Sequence, residues 1–205
     1  MYFGTAGFTA MYGVKRLQRE LIRPEEGKVL VTGATGGVGS LAVLFLSELS
    51  YEVVAATGKM DEESFLKLLG AKEVINREQV TNVGHGLMLS RKWSGAIETV
   101  GGEMLDAVIR QANHDGAIAC CGNILGHELN TNIYPFILRG VSLLGIDSAI
   151  CKMSMRLKIW EAISNTDTAK LPNRFIKTVR LEGLQEEIQR TLKGGQVGRV
   201  LVIHE

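Results

Sequence analysis

The sequence predicts an α/β fold, a doubly wound parallel sheet of the Rossmann type, on three observations. Short apolar runs alternate with stretches of helical spacing along most of the chain. The runs are apolar on successive positions, as strands covered on both faces are. The first of them passes directly into a glycine-rich turn and then an apolar helical pattern, the opening unit of a dinucleotide-type fold.

In chain order, helical spacing runs from about Thr9 to Ile22 and ends before Pro24, because the residue preceding a proline is driven out of helical geometry. Strand one follows at Lys28 to Thr32, and a helix from Leu41 to Leu49 follows the glycines. Glu52-Val-Val-Ala-Ala56 reads as strand two, and Asp61 to Leu69 as a helix stopped by Gly70. Further strands are expected at Glu73 to Ile75, Gly95 to Val100, Ala117 to Cys121 and Val141 to Ile146, with a helix from Glu103 to about Asn113. Helices at Lys152 to Ser164 and Leu184 to Leu192 and a final strand at Arg199 to Ile203 complete the chain. No internal repeat or low-complexity linker divides it, so residues 1–205 are expected to form one domain.

Composition narrows the function classes. With 205 residues, 45% hydrophobic and 22% charged, the chain can bury a sizeable core. A formal net charge of +1 gives no general attraction to nucleic acid or to a membrane surface. No apolar run approaches the ~18 residues that span a bilayer, and the start Met1-Tyr-Phe-Gly4 lacks the form of a signal peptide; a cytoplasmic protein is the expectation. Of three cysteines, Cys120 and Cys121 are adjacent and Cys151 is left over, which argues against a disulfide framework. His85, His114, His127 and His204 lack the close spacing of a zinc site, and no metal is expected.

The turn Gly33-Ala-Thr-Gly-Gly-Val-Gly39 carries the chemistry. A phosphate reaches the positive end of a helix only where the surrounding backbone is bare of side chains. Gly33 permits the tight turn, Gly36 and Gly37 expose main-chain N–H groups to a diphosphate, and Gly39 lets the helix approach the sheet. The G-x-x-G-x-x-G spacing also suits a turn with only a structural task. The end of strand two selects the cofactor: an acid about 20 residues past the turn favours NAD, whereas small and basic residues leave room for the extra phosphate of NADP. Here the segment is Ala55-Ala-Thr-Gly-Lys59. Thr57 offers a hydroxyl, Gly58 a backbone N–H and Lys59 a positive charge, with Arg77 past strand three as a second cation. The alternative leaves Lys59 and Arg77 as ordinary solvated charges.

Several motifs in order extend the pattern over nearly the whole chain: Gly4-Thr-Ala-Gly-Phe-Thr-Ala10, the glycine-rich segment Val29 to Ser40, Leu69-Gly-Ala-Lys-Glu-Val-Ile75, Glu98-Thr-Val-Gly-Gly102 and Pro135 to Ser148. In these the chain resembles the zinc-independent quinone oxidoreductase branch of the medium-chain dehydrogenase/reductases, and its Pro135 to Ser148 segment is most similar to the acryloyl-CoA reductase subgroup. The resemblance implies NADPH-dependent reduction of an activated carbon–carbon double bond or a quinone, with a small-molecule substrate. It implies that Thr35, Gly36, Gly37 and Val38 hold the diphosphate, that Thr57, Gly58, Lys59 and Arg77 surround the 2′-phosphate, and that Ile137 with Asn123 and Ser148 lines the path to the nicotinamide. It also implies a homodimer joined through the edge strand Val141 to Ile146. Two departures stand out. The family tends to place a C-terminal asparagine or glutamine beside the nicotinamide, where this chain has Leu192-Lys-Gly-Gly-Gln-Val-Gly-Arg199. The family also begins with a barrel domain that forms one wall of the substrate cleft, and this chain reads as the cofactor half without it, so no catalytic residue is assigned.

Two function classes stay open: an NADPH-dependent reductase, or an NADPH-binding module without turnover. A short-chain dehydrogenase needs a lysine four residues after its tyrosine. Tyr2, Tyr12, Tyr51 and Tyr134 are followed there by Ala6, Arg16, Ala55 and Leu138.

Overall fold

A computed structural model describes residues 2–168 and 171–204. A six-stranded parallel sheet is built from β1 (Val29–Val31), β2 (Val53–Thr57), β3 (Glu73–Asn76), β4 (Trp93–Glu98), β5 (Ala112–Cys120) and β6 (Ser142–Gly145). Its strand order is β3-β2-β1-β4-β5-β6, the doubly wound order, and the chain reverses direction across the sheet between β1 and β4.

Residue-by-residue alternation on the strands divides the interior into two layers. Val29 and Val31 of β1, Val53 and Ala55 of β2, Ile97 of β4, and Ala117 and Ala119 of β5 face one side. There they pack against α1 (Gly4–Arg19), α2 (Gly37–Glu48), α3 (Glu63–Leu68) and α7 (Met153–Ser164). Leu30, Val54, Ala96 and Ile118 face the other side, against α4 (Glu78–Thr81), α5 (Gly102–Arg110) and α6 (Tyr134–Arg139). Both faces of each central strand are apolar because both are covered.

The structure shifts several expected boundaries. Helix α1 starts at Gly4, five residues before Thr9, and ends at Arg19, with Arg16 and Arg19 in its last turn, where cations meet the negative helix end. Strand β5 starts at Ala112 because an irregularity lets Ala112 pair with Trp93 before Ala117 pairs with Gly95, and helix α5 accordingly stops at Arg110. Helix α3 is halted at Gly70, as expected: its φ is +97°, and a Cβ there would meet the Ser47 hydroxyl. Helix α6 was not anticipated, although Pro135 in its first turn and Gly140 in left-handed conformation at its end are ordinary start and stop signals. The final strand, β8 (Arg199–Ile203), lies outside the main sheet; it pairs in parallel with β7 (Ile176–Arg180), also unanticipated, and α8 (Leu184–Leu192) connects the two. No described helix is long and apolar enough to cross a membrane.

Candidate functional site

Parallel strands deliver their carboxyl ends to one rim of the sheet, and where the winding reverses the flanking loops part to leave a crevice. A cleft of about 400 Å³ lies there. The turn after β1 contributes Gly33, Thr35, Gly36 and Gly37; the end of β2 contributes Ala56, Thr57, Gly58 and Lys59; Arg77 follows β3. The opposite wall is apolar, made by Val100, Met104, Ile124 and Leu125, and Thr191, Gly194 and Gln196 close one end. A larger cavity of about 720 Å³ shares Leu125 but is lined by polar residues such as Asn82, His85, Glu103 and His127, and includes neither the glycine-rich turn nor the end of β2. The smaller cleft is the candidate site because the convergent strand ends and the helix terminus meet in it.

The glycines work as their spacing suggests. Gly33 has φ of +57°, and a Cβ there would stand 2.4 Å from Thr99 Oγ1. A Cβ on Gly39 would lie 2.3 Å from the Gly33 carbonyl oxygen, so the helix sits on the turn as closely as backbone allows. Gly36 is the residue before α2, and the first backbone N–H groups of that helix have no intrahelical acceptor.

Polar side chains are preset around this terminus. The Thr35 and Thr57 hydroxyls are 3.3 Å apart, and the Lys59 N–H donates to Thr57 Oγ1 at 3.0 Å. Lys59 Nζ donates to the Gln196 carbonyl at 2.5 Å, and burial lowers its pKa. The Arg77 side chain lies across Gly58, where a Cβ would approach it to 3.2 Å. Arg199, at the start of β8, reaches back to the start of α2: its guanidinium would be 2.8 Å from a Cβ on Gly37. Its Nε is buried without a hydrogen-bond partner, and burial lowers its pKa. A guanidinium beside the positive end of a helix suits an anion there, and with Lys59 and Arg77 in the cleft the residues present fit a phosphate-bearing cofactor.

Of the expected residues, the cleft brings together Thr35, Gly36, Gly37, Thr57, Gly58, Lys59 and Arg77. Val38, Asn123, Ile137 and Ser148 lie outside its lining: Asn123 precedes Ile124, Ile137 is exposed on α6, and Ser148 accepts a hydrogen bond from Thr9 Oγ1 at 2.9 Å. Gln196 stands at the Lys59 end. Arg199 and the apolar wall were not anticipated. Neither was Glu98, a fully buried acid on β4, although a charged residue inside an apolar strand was a visible signal. Among the described residues no group of three or more His, Cys, Asp or Glu could hold a metal ion.

Comparison with known proteins agrees with the fold and with a dinucleotide cofactor. Residues 37–161 match the zinc-binding dehydrogenase family. The chain is 39% identical over 202 residues to acrylyl-CoA reductase AcuI of Ruegeria pomeroyi, covering 98% of this chain and 61% of that protein. Among solved structures, the yhdH oxidoreductase of Salmonella enterica in complex with NADP superposes with a TM-score of 0.95 at 36% identity, over 100% of this chain and 63% of that one. Bacillus subtilis protein yhfP, solved with NAD bound, gives a TM-score of 0.93 at 42% identity, over 100% and 62%. The chain therefore spans less than two thirds of the length of the relatives it matches.

Proposed function

The chain belongs to the zinc-binding dehydrogenase family, within the quinone oxidoreductase branch of the medium-chain dehydrogenase/reductases, and from that premise we propose that it serves NADPH-dependent reduction of an activated carbon–carbon double bond, as in acryloyl-CoA. The observation that carries the reading is the meeting of the bare α2 terminus, Lys59 and Arg77 in one cleft. NADPH, when bound, supplies the hydride.

In this reading Thr35, Gly36 and Gly37 present donors to the diphosphate at the helix terminus, and Arg199 adds a guanidinium beside Gly37. Thr57, Gly58, Lys59 and Arg77 surround the 2′-phosphate. Val100, Met104, Ile124 and Leu125 offer an apolar wall to a flat ring and exclude water from it. Val38, Asn123, Ile137 and Ser148 belong to the path toward the nicotinamide. Two copies pair through the exposed edge of β6. The substrate is an enoyl-CoA, an enone or a quinone, with acryloyl-CoA favoured by the relative of that name.

A second reading, an NADPH-binding module without turnover, is favoured by one observation: among the described residues, the cleft lining has no carboxylate, histidine, tyrosine or cysteine that could deliver the proton to the α-carbon. Fluorescence titration with NADPH, followed by its oxidation in the presence of acryloyl-CoA, simple quinones and enones, separates the readings. Binding with turnover of one substrate is expected of the reductase, binding alone of the module, and absence of binding overturns both.

A further inference from the structure

We propose that Glu98 is a positioning residue of this site: its carboxylate ties the glycine-rich turn after β1 to the turn after β4 and so sets the spacing between the two walls of the cleft. The proposal rests on the cofactor reading above.

Glu98 is the last residue of β4, with no exposed surface. Its Oε1 accepts from Thr32 Oγ1 at 3.0 Å, from the Val100 N–H at 2.9 Å and from the Gly101 N–H at 3.0 Å. Its Oε2 accepts from the Gly101 N–H at 3.1 Å and from Cys120 Sγ at 3.8 Å. All of these partners donate, and an ionised carboxylate, which only accepts, meets every one of them. The network then closes on itself. The Thr99 N–H donates to Thr32 Oγ1 at 2.9 Å, and Thr99 Oγ1 donates to the Thr32 carbonyl at 2.9 Å.

The two anchored segments are the two walls. Thr32 immediately precedes Gly33, which opens the diphosphate turn, and Val100 and Met104 form the apolar side. Burying a carboxylate is costly unless its bonds are complete, and an apolar residue would pair equally well as a strand. An acid at this point is explained by what it fixes: backbone N–H groups of a turn that no strand partner satisfies. The titratable groups facing it are Cys120 at the end of β5 and Cys121 just after it; burial pushes both thiols up, Cys121 to about 12, so both stay neutral from mildly acid to mildly alkaline pH. Burial also raises the pKa of Glu98 itself.

The test is NADPH affinity of the unmodified chain and of Glu98→Gln, titrated by fluorescence between mildly acid and alkaline pH. The amide keeps shape and removes charge. At alkaline pH the variant is expected to bind about threefold to tenfold more weakly. The ratio of the two dissociation constants should fall toward one as pH drops and the natural carboxyl takes up its proton; in that ratio the titration of the cofactor's own phosphate cancels. A folded Glu98→Gln that binds like the unmodified chain at every pH overturns the proposal. So does a loss of affinity that is constant with pH and tracks a lower melting temperature, which a merely structural role would give. If Glu98→Gln does not fold, Glu98→Asp, which keeps the charge but cannot reach both turns, must bind more weakly; unchanged affinity overturns the proposal. Failure of the unmodified chain to bind NADPH would instead overturn the cofactor reading itself.

Discussion

Lys59 and Gln196 meet across the mouth of the cleft, the lysine ammonium donating to the glutamine's backbone carbonyl at 2.5 Å. The C-terminal turn therefore orients the cation at the end of β2, and Lys59 is partly desolvated before any ligand arrives. A pre-oriented ammonium costs less entropy to engage a phosphate than a free one.

NADPH is accordingly expected to bind more tightly than NADH, and Lys59→Glu to reverse that preference. A lysine on a partly exposed phosphate is worth roughly 1–2 kcal/mol, about tenfold to thirtyfold in affinity. Glutamate adds repulsion toward the phosphate and offers an acceptor to ribose hydroxyls. Arg77→Ala should weaken NADPH and leave NADH nearly unchanged, and both effects should shrink in high salt. The solved relative with NAD bound makes this a sharp test, since that protein is 42% identical to the chain. Equal affinity of the unmodified chain for the two cofactors would return Lys59 to an ordinary charge.

Arg199 should act differently. Its guanidinium lies against Gly37, at the start of α2. Arg199→Ala is expected to weaken NADPH and NADH alike, by about tenfold. Calorimetric titration with both cofactors checks this, and a change confined to NADPH would move Arg199 into the 2′-phosphate site.

The glycine-rich turn, the end of β2 and the alternation of elements were legible because each depends on residues adjacent in sequence. Gly33 to Gly39 and Thr57 to Lys59 carry their geometry locally. Arg199 was not legible as a site residue, since β8 returns it to Gly37 from 162 positions away and only the fold supplies that proximity. Val100 and Leu125 read as ordinary apolar residues until the strand ends converge. Arg199 to Ile203 reads as a strand, but its partner β7 was not legible, because Ile176-Lys-Thr-Val-Arg180 is short and half polar, a strand satisfied by one partner rather than by a buried sheet. The Pro135 and Gly140 signals around α6 were readable in principle, but the helix spans only 6 residues, too few to show a period.

Close approach at Gly39 gives a stability prediction. An added Cβ would meet backbone atoms of Gly33 and Ala34, which cannot yield as a side-chain tip can. Gly39→Ala is expected to destabilise the chain by about 1–3 kcal/mol. At Gly183 a Cβ would make only ordinary contact, at 3.6 Å from Val179, and the backbone there has negative φ. Gly183→Ala should leave the urea midpoint unchanged or slightly raised. Similar midpoints for the two variants would contradict the packing described for α2.

Self-association is expected at β6. Among the described residues the strand pairs only with β5, which leaves one row of its backbone groups at the sheet edge, and Leu143 is exposed on it. An uncovered apolar edge invites a second copy. Sedimentation velocity at tens of micromolar should show a dimer, shifted toward monomer by Leu143→Lys. A monomer throughout would mean that this edge is blunted by other means.

Acid stability should follow Glu98. Burial holds its carboxyl above the ordinary glutamate value of 4.5. Between that value and the raised one the folded chain holds a proton that the unfolded chain has released, so this group's stabilising contribution is complete below the interval and is lost as pH rises through it. Glu98→Gln never pays that cost of ionisation. Its melting temperature relative to the unmodified chain should therefore rise with pH across the interval, by a few degrees. Melting curves from pH 4.5 to 8 decide the matter: a difference that is flat, or that falls with pH, would show that the four donors around Glu98 outweigh its burial and hold its carboxyl at or below the ordinary value.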